Sequence, residues 1–346
     1  MVAQISAEYP KVFDELIQKH LSIKDYSVVP LAGDASSRRY YRVVKGNQSW
    51  VLMEWTPFQN PDDFPFISIQ RHLQDSQIGV PAIIGMDEQK GLFLLEDLGD
   101  LTLERRFWEF SKQESIIPFY QVTLDLLVKL HRQSLDKTQW SRCTAYGVQF
   151  DTEKFTWELN YTFKNLFSML CPHHLSEKEQ LALQKEFAFL AQTLADAPQV
   201  LCHRDFHSRN IMIKGDRIFF IDFQDARLGP AQYDLVSLVH DSYVTLDDEH
   251  IESLIDYYLS IFPEALTQFK TRENFMHYFY LQMLQRCFKA CGTFAAILNQ
   301  REDRRYLKYL PHTLSKVKTA LSKTTDFPVM KKLVDQLQLP QIEKWP

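Results

Sequence analysis

Two apolar runs, 211–214 and 217–221, are separated by only Gly215 and Asp216. So short a gap makes the chain reverse as a hairpin, and glycine at the first central position suits a type II′ turn. Pairing outward sets Lys214 against Arg217, Ile213 against Ile218, Met212 against Phe219 and Ile211 against Phe220. Asn210 then stands across from Ile221, next to Asp222. Paired residues in such a ladder lie about 5 Å apart. One amide and one carboxylate therefore reach the same open end, near enough to share a hard cation that takes oxygen ligands, as Mg²⁺ does. Asp205, five residues before Asn210, sits in the loop that feeds the hairpin. A carboxylate there can face the same space without binding the metal. Phosphoryl transfer needs both kinds of group, ligands for the metal and a carboxylate that orients and deprotonates a hydroxyl. The competing reading is a buried hairpin whose polar ends only cap turns.

The flanking sequence changes texture once. Strand-like runs at 26–31, 39–44, 50–55, 82–86 and 92–96 surround one amphipathic segment, 64–74, and follow a first helix at 10–21. This is the order of a small antiparallel sheet with a helix packed on it. Leu98-Gly99-Asp100 then punctuates the chain. Beyond it, 116–131, 152–170, 177–194 and 274–298 carry helical periodicity. The 346 residues are too many for one compact core. The expectation is an α+β bilobal fold, with residues 1–98 a nucleotide-binding lobe and 99–346 a larger helical lobe.

Net charge is −5 and charged residues are 24%, so bulk binding to nucleic acid or to a membrane surface is not expected. The first 24 residues mix charges among the apolar ones, unlike a signal peptide, and no window is apolar enough to span a membrane. A cytoplasmic location is expected by elimination. The five cysteines are odd in number and include no C-x-x-C pair, so neither a disulfide framework nor a zinc site is expected.

His203-Arg204-Asp205 followed by Asn210 resembles the catalytic loop of protein-kinase-like folds, H-R-D-x-x-x-x-N. Asp222-Phe223-Gln224 resembles the metal-binding D-F-G, with Gln in place of Gly. The resemblance implies Asp205 as catalytic base, Asn210 and Asp222 as Mg²⁺ ligands, ATP as phosphoryl donor and a structural His203. A protein kinase is disfavoured. The nucleotide loop lacks G-x-G-x-x-G, and only 11 residues separate Asp222 from Asp234, too few for an activation loop.

The layout is instead similar to aminoglycoside phosphotransferase-like small-molecule kinases, over nearly the whole chain. Residues 31–42, 203–210, 229–235 and 285–294 further resemble the bacterial N-acetylmuramate/N-acetylglucosamine anomeric kinases. That implies phosphorylation of an amino-sugar C1 hydroxyl in cell-wall recycling. Kinases of other small alcohols, such as aminoglycosides or choline, and a non-catalytic nucleotide-binding module stay open. So does the oligomeric state.

The third strand, 50–55, lacks the lysine that usually holds the α- and β-phosphates. One of Arg38, Arg39 and Arg42 is expected to supply that charge, helped by Ser36 and Ser37. Adenine is expected against 94–98, beside Glu96 and Leu98. Trp157, Glu158 and Tyr161 share helical spacing and are candidates for stacking on, or bonding to, a sugar; an aromatic helical core is the alternative. Arg286 and Lys289 are candidates for a substrate carboxylate, or else plain surface or ion-pair residues. Asp225 is a candidate for the substrate or metal shell. Asp234 is expected to cap a helix over 235–240, and the family resemblance implies that it also braces the catalytic loop.

Overall fold

The computed structural model of the chain describes residues 12–31 and 38–339. After helix α1 (Val12–Leu21) come strands β1 (Ser27–Pro30), β2 (Arg39–Lys45) and β3 (Gln48–Glu54), helix α2 (Pro65–Asp75), and strands β4 (Ile83–Asp87) and β5 (Leu92–Glu96). The strands form one antiparallel sheet in the order β1-β2-β3-β5-β4. Strand alternation sends Val43, Leu52 and Leu94 into a small core with Phe13 and Ile17 of α1. The opposite face sends Met53 and Phe93 onto Phe66 and Ile69 of α2.

The remainder is mostly helical: α3 (Leu103–Glu109), α4 (Ile117–Gln133), α5 (Thr152–Thr162) and α6 (Glu177–Ala195). Strand β6 (Gln199–Cys202), the hairpin β7 (Ile211–Lys214) and β8 (Arg217–Phe220), and β9 (Arg227–Pro230) follow. Then come α7 (Gln232–Val239), α8 (Asp248–Ile261), α9 (Pro263–Phe269), α10 (Arg272–Arg301), α11 (Leu310–Ser322) and α12 (Pro328–Gln336). A small antiparallel-sheet lobe followed by a larger helical one is the bilobal α+β architecture expected of a protein-kinase-like chain. The helix expected over 152–170 changes character partway, because α5 runs on as a π-helical segment, Phe163–Leu170. Among the described residues no helix is long and apolar enough to cross a membrane.

Three connections position the site. The β7–β8 register matches the pairing set by the two-residue turn, from Lys214↔Arg217 to Ile211↔Phe220. Gly215 supplies the positive φ of 61° that the turn needs. Residues 97–102, which lead out of the sheet, are sewn to this hairpin, with Ile213 N donating to Leu101 O at 2.8 Å. β6 pairs antiparallel with β9, so the loop after β6 and the loop before β9 start from neighbouring strands. Those two loops carry Asp205 and Asp222.

Candidate active site

Asp205 leaves β6 in a loop held from behind. Asp234 accepts from the backbone N–H groups of His203 (2.5 Å) and Arg204 (3.0 Å). Asp241 accepts from Ser208 N at 2.8 Å. These buried carboxylates satisfy donors that the tight loop would otherwise orphan, and they fix its path. The helix cap expected of Asp234 is not found. α7 begins at Gln232, so Asp234 lies in its first turn and its carboxylate is spent on the loop. His203 is buried, with its ring packed on Phe206 and Phe220, a structural placement.

Asn210 Nδ2 donates to Asp205 O at 2.9 Å, and Ile221 N donates to Asn210 O at 3.0 Å. The residue is thereby locked between the loop and the hairpin, and among the described residues no hydrogen bond takes its side-chain oxygen. Asp222 follows Ile221 with φ of 64°, and Arg204 has φ of 82°. Left-handed backbone at non-glycine residues costs about 1–3 kcal/mol each and persists where surroundings over-determine it. Phe223 is part of that surrounding, stacked on Phe66 of α2 with ring centroids 5.2 Å apart. This contact ties the Asp222 loop to the sheet lobe.

Asn210 and Asp222 line a cleft of about 470 Å³ between the sheet and the helical lobe. Its walls are largely apolar, including Val51, Met53, Leu95, Met212 and Ile221, with Glu96 and Leu98 at its inner edge. The slot suits a flat heteroaromatic ring, and its carboxylate–amide pair suits a hard cation bound to phosphates. Glu96 is paired with Lys214 at 2.7 Å.

Of the three arginines considered for the missing lysine, Arg38 alone reaches the Asp222 end. Its Nη2 lies 2.6 Å from Asp222 Oδ1 and its Nη1 donates to Gln224 Oε1 at 2.7 Å. The guanidinium also sits over the Trp55 ring, 5.1 Å from its centroid. Arg39 is exposed and pairs with Glu54. Arg42 lines the cleft, but its guanidinium is held 2.7 Å from Asp97 and 2.9 Å from Asp100, which clamps the segment leaving the sheet. Ser36 and Ser37 lie outside the described residues.

Asp205 opens onto a second, smaller cavity of about 150 Å³, on the helical side of the loop. Burial alone would raise its carboxyl pKa, but Arg204, Lys289 and Arg286 outweigh that and hold it well below the usual carboxylate range. The distances to Asp205 are 3.6 Å from Arg204, 3.8 Å from Arg286 and 3.9 Å from Lys289. Arg286 and Lys289 are therefore not surface residues; they project from α10 into this cavity. Burial, and then Arg286, push the Lys289 ammonium down to about 8. Asp225 pairs with Arg204 at 2.8 Å and with Arg227 at 3.5 Å.

The α5 candidates are not brought to that cavity. Trp157 and Tyr161 stack on each other with centroids 5.0 Å apart, and Lys154 covers the Trp157 ring. Glu158 is buried beneath them and accepts from Gln285 Nε2 at 2.8 Å. The sequence reading missed Asp241 and Tyr243, which line the cavity.

The phosphotransferase enzyme family profile matches residues 27–269. Curated relatives include an N-acetylmuramate/N-acetylglucosamine kinase of Pseudomonas putida, 27% identical over 90% of this chain and 88% of the relative. Another of the same name, from Neisseria meningitidis, is 26% identical over 84% of this chain and 85% of its own length. Among solved structures, a choline kinase from Streptococcus pneumoniae superposes with a TM-score of 0.59 at 15% identity, covering 90% of this chain and 99% of that one. The gentamicin complex of an aminoglycoside phosphotransferase does so with a TM-score of 0.58 at 15% identity, covering 94% and 98%. These likenesses carry the fold, and the profile match over most of the sequence carries the lineage: the chain belongs to the phosphotransferase enzyme family.

Proposed function

We propose that this phosphotransferase transfers the terminal phosphoryl group of ATP to the anomeric hydroxyl of an N-acetylated amino sugar, with N-acetylmuramate and N-acetylglucosamine as acceptors. The single observation behind this reading is the division of labour at one loop. Asn210 and Asp222 turn to an apolar cleft, while Asp205 turns to a separate polar cavity. In this reading Asp205 orients the sugar hydroxyl and takes its proton, and no phosphoenzyme forms. Asn210 and Asp222 hold Mg²⁺, which when bound neutralises phosphate charge. Arg38, freed from Asp222, supplies the cation that β3 lacks. Glu96 and Leu98 border the adenine. Arg42 holds the cleft edge rather than the nucleotide. The same reading has the enzyme work in the cytoplasm, where its ATP is, recovering cell-wall amino sugars.

The names of the curated relatives support the sugar, and the two cations beside Asp205 disfavour a choline-like or aminoglycoside acceptor, which would bring positive charge of its own. The test is ³¹P NMR of the product after incubation with Mg-ATP and each sugar. A phosphate resonance coupled to H1 is the expected result. ATP consumption with neither sugar, but with choline or an aminoglycoside, would replace the acceptor assignment.

A further inference from the structure

Arg286 and Lys289 are largely enclosed, yet neither makes a close ion pair. Each stops just short of hydrogen-bond reach of Asp205, at 3.8 and 3.9 Å. Arg286 spends its Nε on Ser237 Oγ at 2.9 Å and lies over the Tyr233 ring. Among the described residues no hydrogen bond involves its terminal nitrogens or the Lys289 ammonium. Two cations with unspent donors are thus aimed into a cavity of about 150 Å³ whose floor is the carboxylate proposed as base. Buried charges without close partners are costly. Here the cost has a use, because the unspent donors are held ready for an anion that enters with the acceptor.

We propose that Arg286 and Lys289 form a subsite for an anionic group on the acceptor. An incoming carboxylate takes the unspent donors as charge-assisted hydrogen bonds and so seats the acceptor hydroxyl beside Asp205. The proton moves from that hydroxyl to an Asp205 carboxylate oxygen, the hydroxyl oxygen bonds to the terminal phosphorus of ATP, and the bond from that phosphorus to the departing ADP breaks. A neutral sugar can react in the same cavity, but leaves the donors of both cations unspent. The inference rests on the proposed sugar-kinase reading and extends it: Lys289 and Arg286 are specificity-determining.

The experiment compares N-acetylmuramate with its methyl ester, which has nearly the same bulk and no charge, using N-acetylglucosamine as a third acceptor. In the unaltered enzyme the acid is expected to exceed the ester in kcat/KM by about tenfold or more, the worth of one charge-assisted hydrogen bond. Lys289→Met is expected to remove most of that ratio, and Lys289→Arg to restore it. Arg286→Gln provides an independent second loss should the methionine variant fold poorly. An acid-to-ester ratio equal in the unaltered enzyme and in both charge-removing variants would overturn the inference and leave the sugar-kinase reading standing. If none of the three sugars is phosphorylated, the sugar-kinase reading fails first.

Discussion

The two cavities that meet at the Asp205 loop are built on opposite principles. The cleft between the sheet and the helical lobe is about 470 Å³ and walled largely by aliphatic and aromatic side chains, with Arg38, Arg42 and Asp222 among the charged residues that line it. The cavity beyond Asp205 is about a third of that volume and is lined by Asp205, Asp241, Arg286 and Lys289. A slot that grips a flat ring by shape and backbone tolerates exchange of side chains. In the proposed reading β3 carries Met53 and no lysine because Arg38, which already reaches Asp222, would bring the cation instead. A small charged cavity has no such slack, since each charge is balanced against its neighbours. Substitutions on the cleft side should act mainly on nucleotide, and those on the cavity side should discriminate among acceptors.

The sharpest way to break that division is Asp205→Asn. It keeps shape and hydrogen bonding but removes the base, so kcat is expected to fall about 10²- to 10⁴-fold, the usual span of general-base catalysis. The nucleotide dissociation constant, measured by calorimetry with Mg-ATP, should stay near that of the unaltered protein. Near-normal turnover would remove Asp205 from its role. A matching loss of nucleotide affinity would show that the two cavities are not separable.

Arg38→Met probes the other side. If Arg38 replaces the strand lysine, kcat/KM for ATP should drop about 10- to 100-fold, the worth of one hydrogen bond to a charged group. The preference for N-acetylmuramate over its methyl ester should be unmoved. Arg38→Lys should recover part of the loss and no more, because a single ammonium keeps the charge but not the paired N–H donors that a guanidinium offers a phosphate. A variant with unchanged kinetics for ATP would return the phosphate contact to the 32–37 segment.

The contrast also accounts for what could be read from the sequence. The metal-side hairpin was legible to the register because a two-residue turn leaves no freedom, and local geometry alone carries Asn210 to Asp222. The strands of the small lobe and their antiparallel sheet were legible from short apolar runs, but their spatial order, β1-β2-β3-β5-β4, was not. Residues meeting across long separations were not legible. Helical spacing put Trp157 and Tyr161 on one face but did not say that they stack on each other and under Lys154. The i, i+3 spacing of Arg286 and Lys289 gave their common face and not their depth beside Asp205, 81 and 84 positions earlier (286 − 205 and 289 − 205). Asp234 misled for the same reason. Its type and place suit a cap, and the tertiary demand of two loop N–H groups took precedence over the local one.

The gentlest probe leaves every charge in place. Gly292 on α10 faces Thr162 at the end of α5, and a Cβ there would lie 2.6 Å from the Thr162 Cα. The Thr162 hydroxyl is also 3.2 Å from Phe288 O, so the two helices touch backbone to backbone at this crossing. Gly292→Ala must push α5 off α10, and overpacking of this kind costs about 1–3 kcal/mol. Arg286 and Lys289 lie one to two turns away on the same helix, and Glu158 bonds Gln285 across the same seam. The displacement should therefore reach the acceptor cavity and leave the cleft, which α10 does not line, untouched. The expected outcome is a lower melting temperature with KM for the sugar raised and KM for ATP unchanged. Equal shifts in both constants would mean that the cavities are mechanically coupled through the helical lobe, and the division drawn above would hold only for charge.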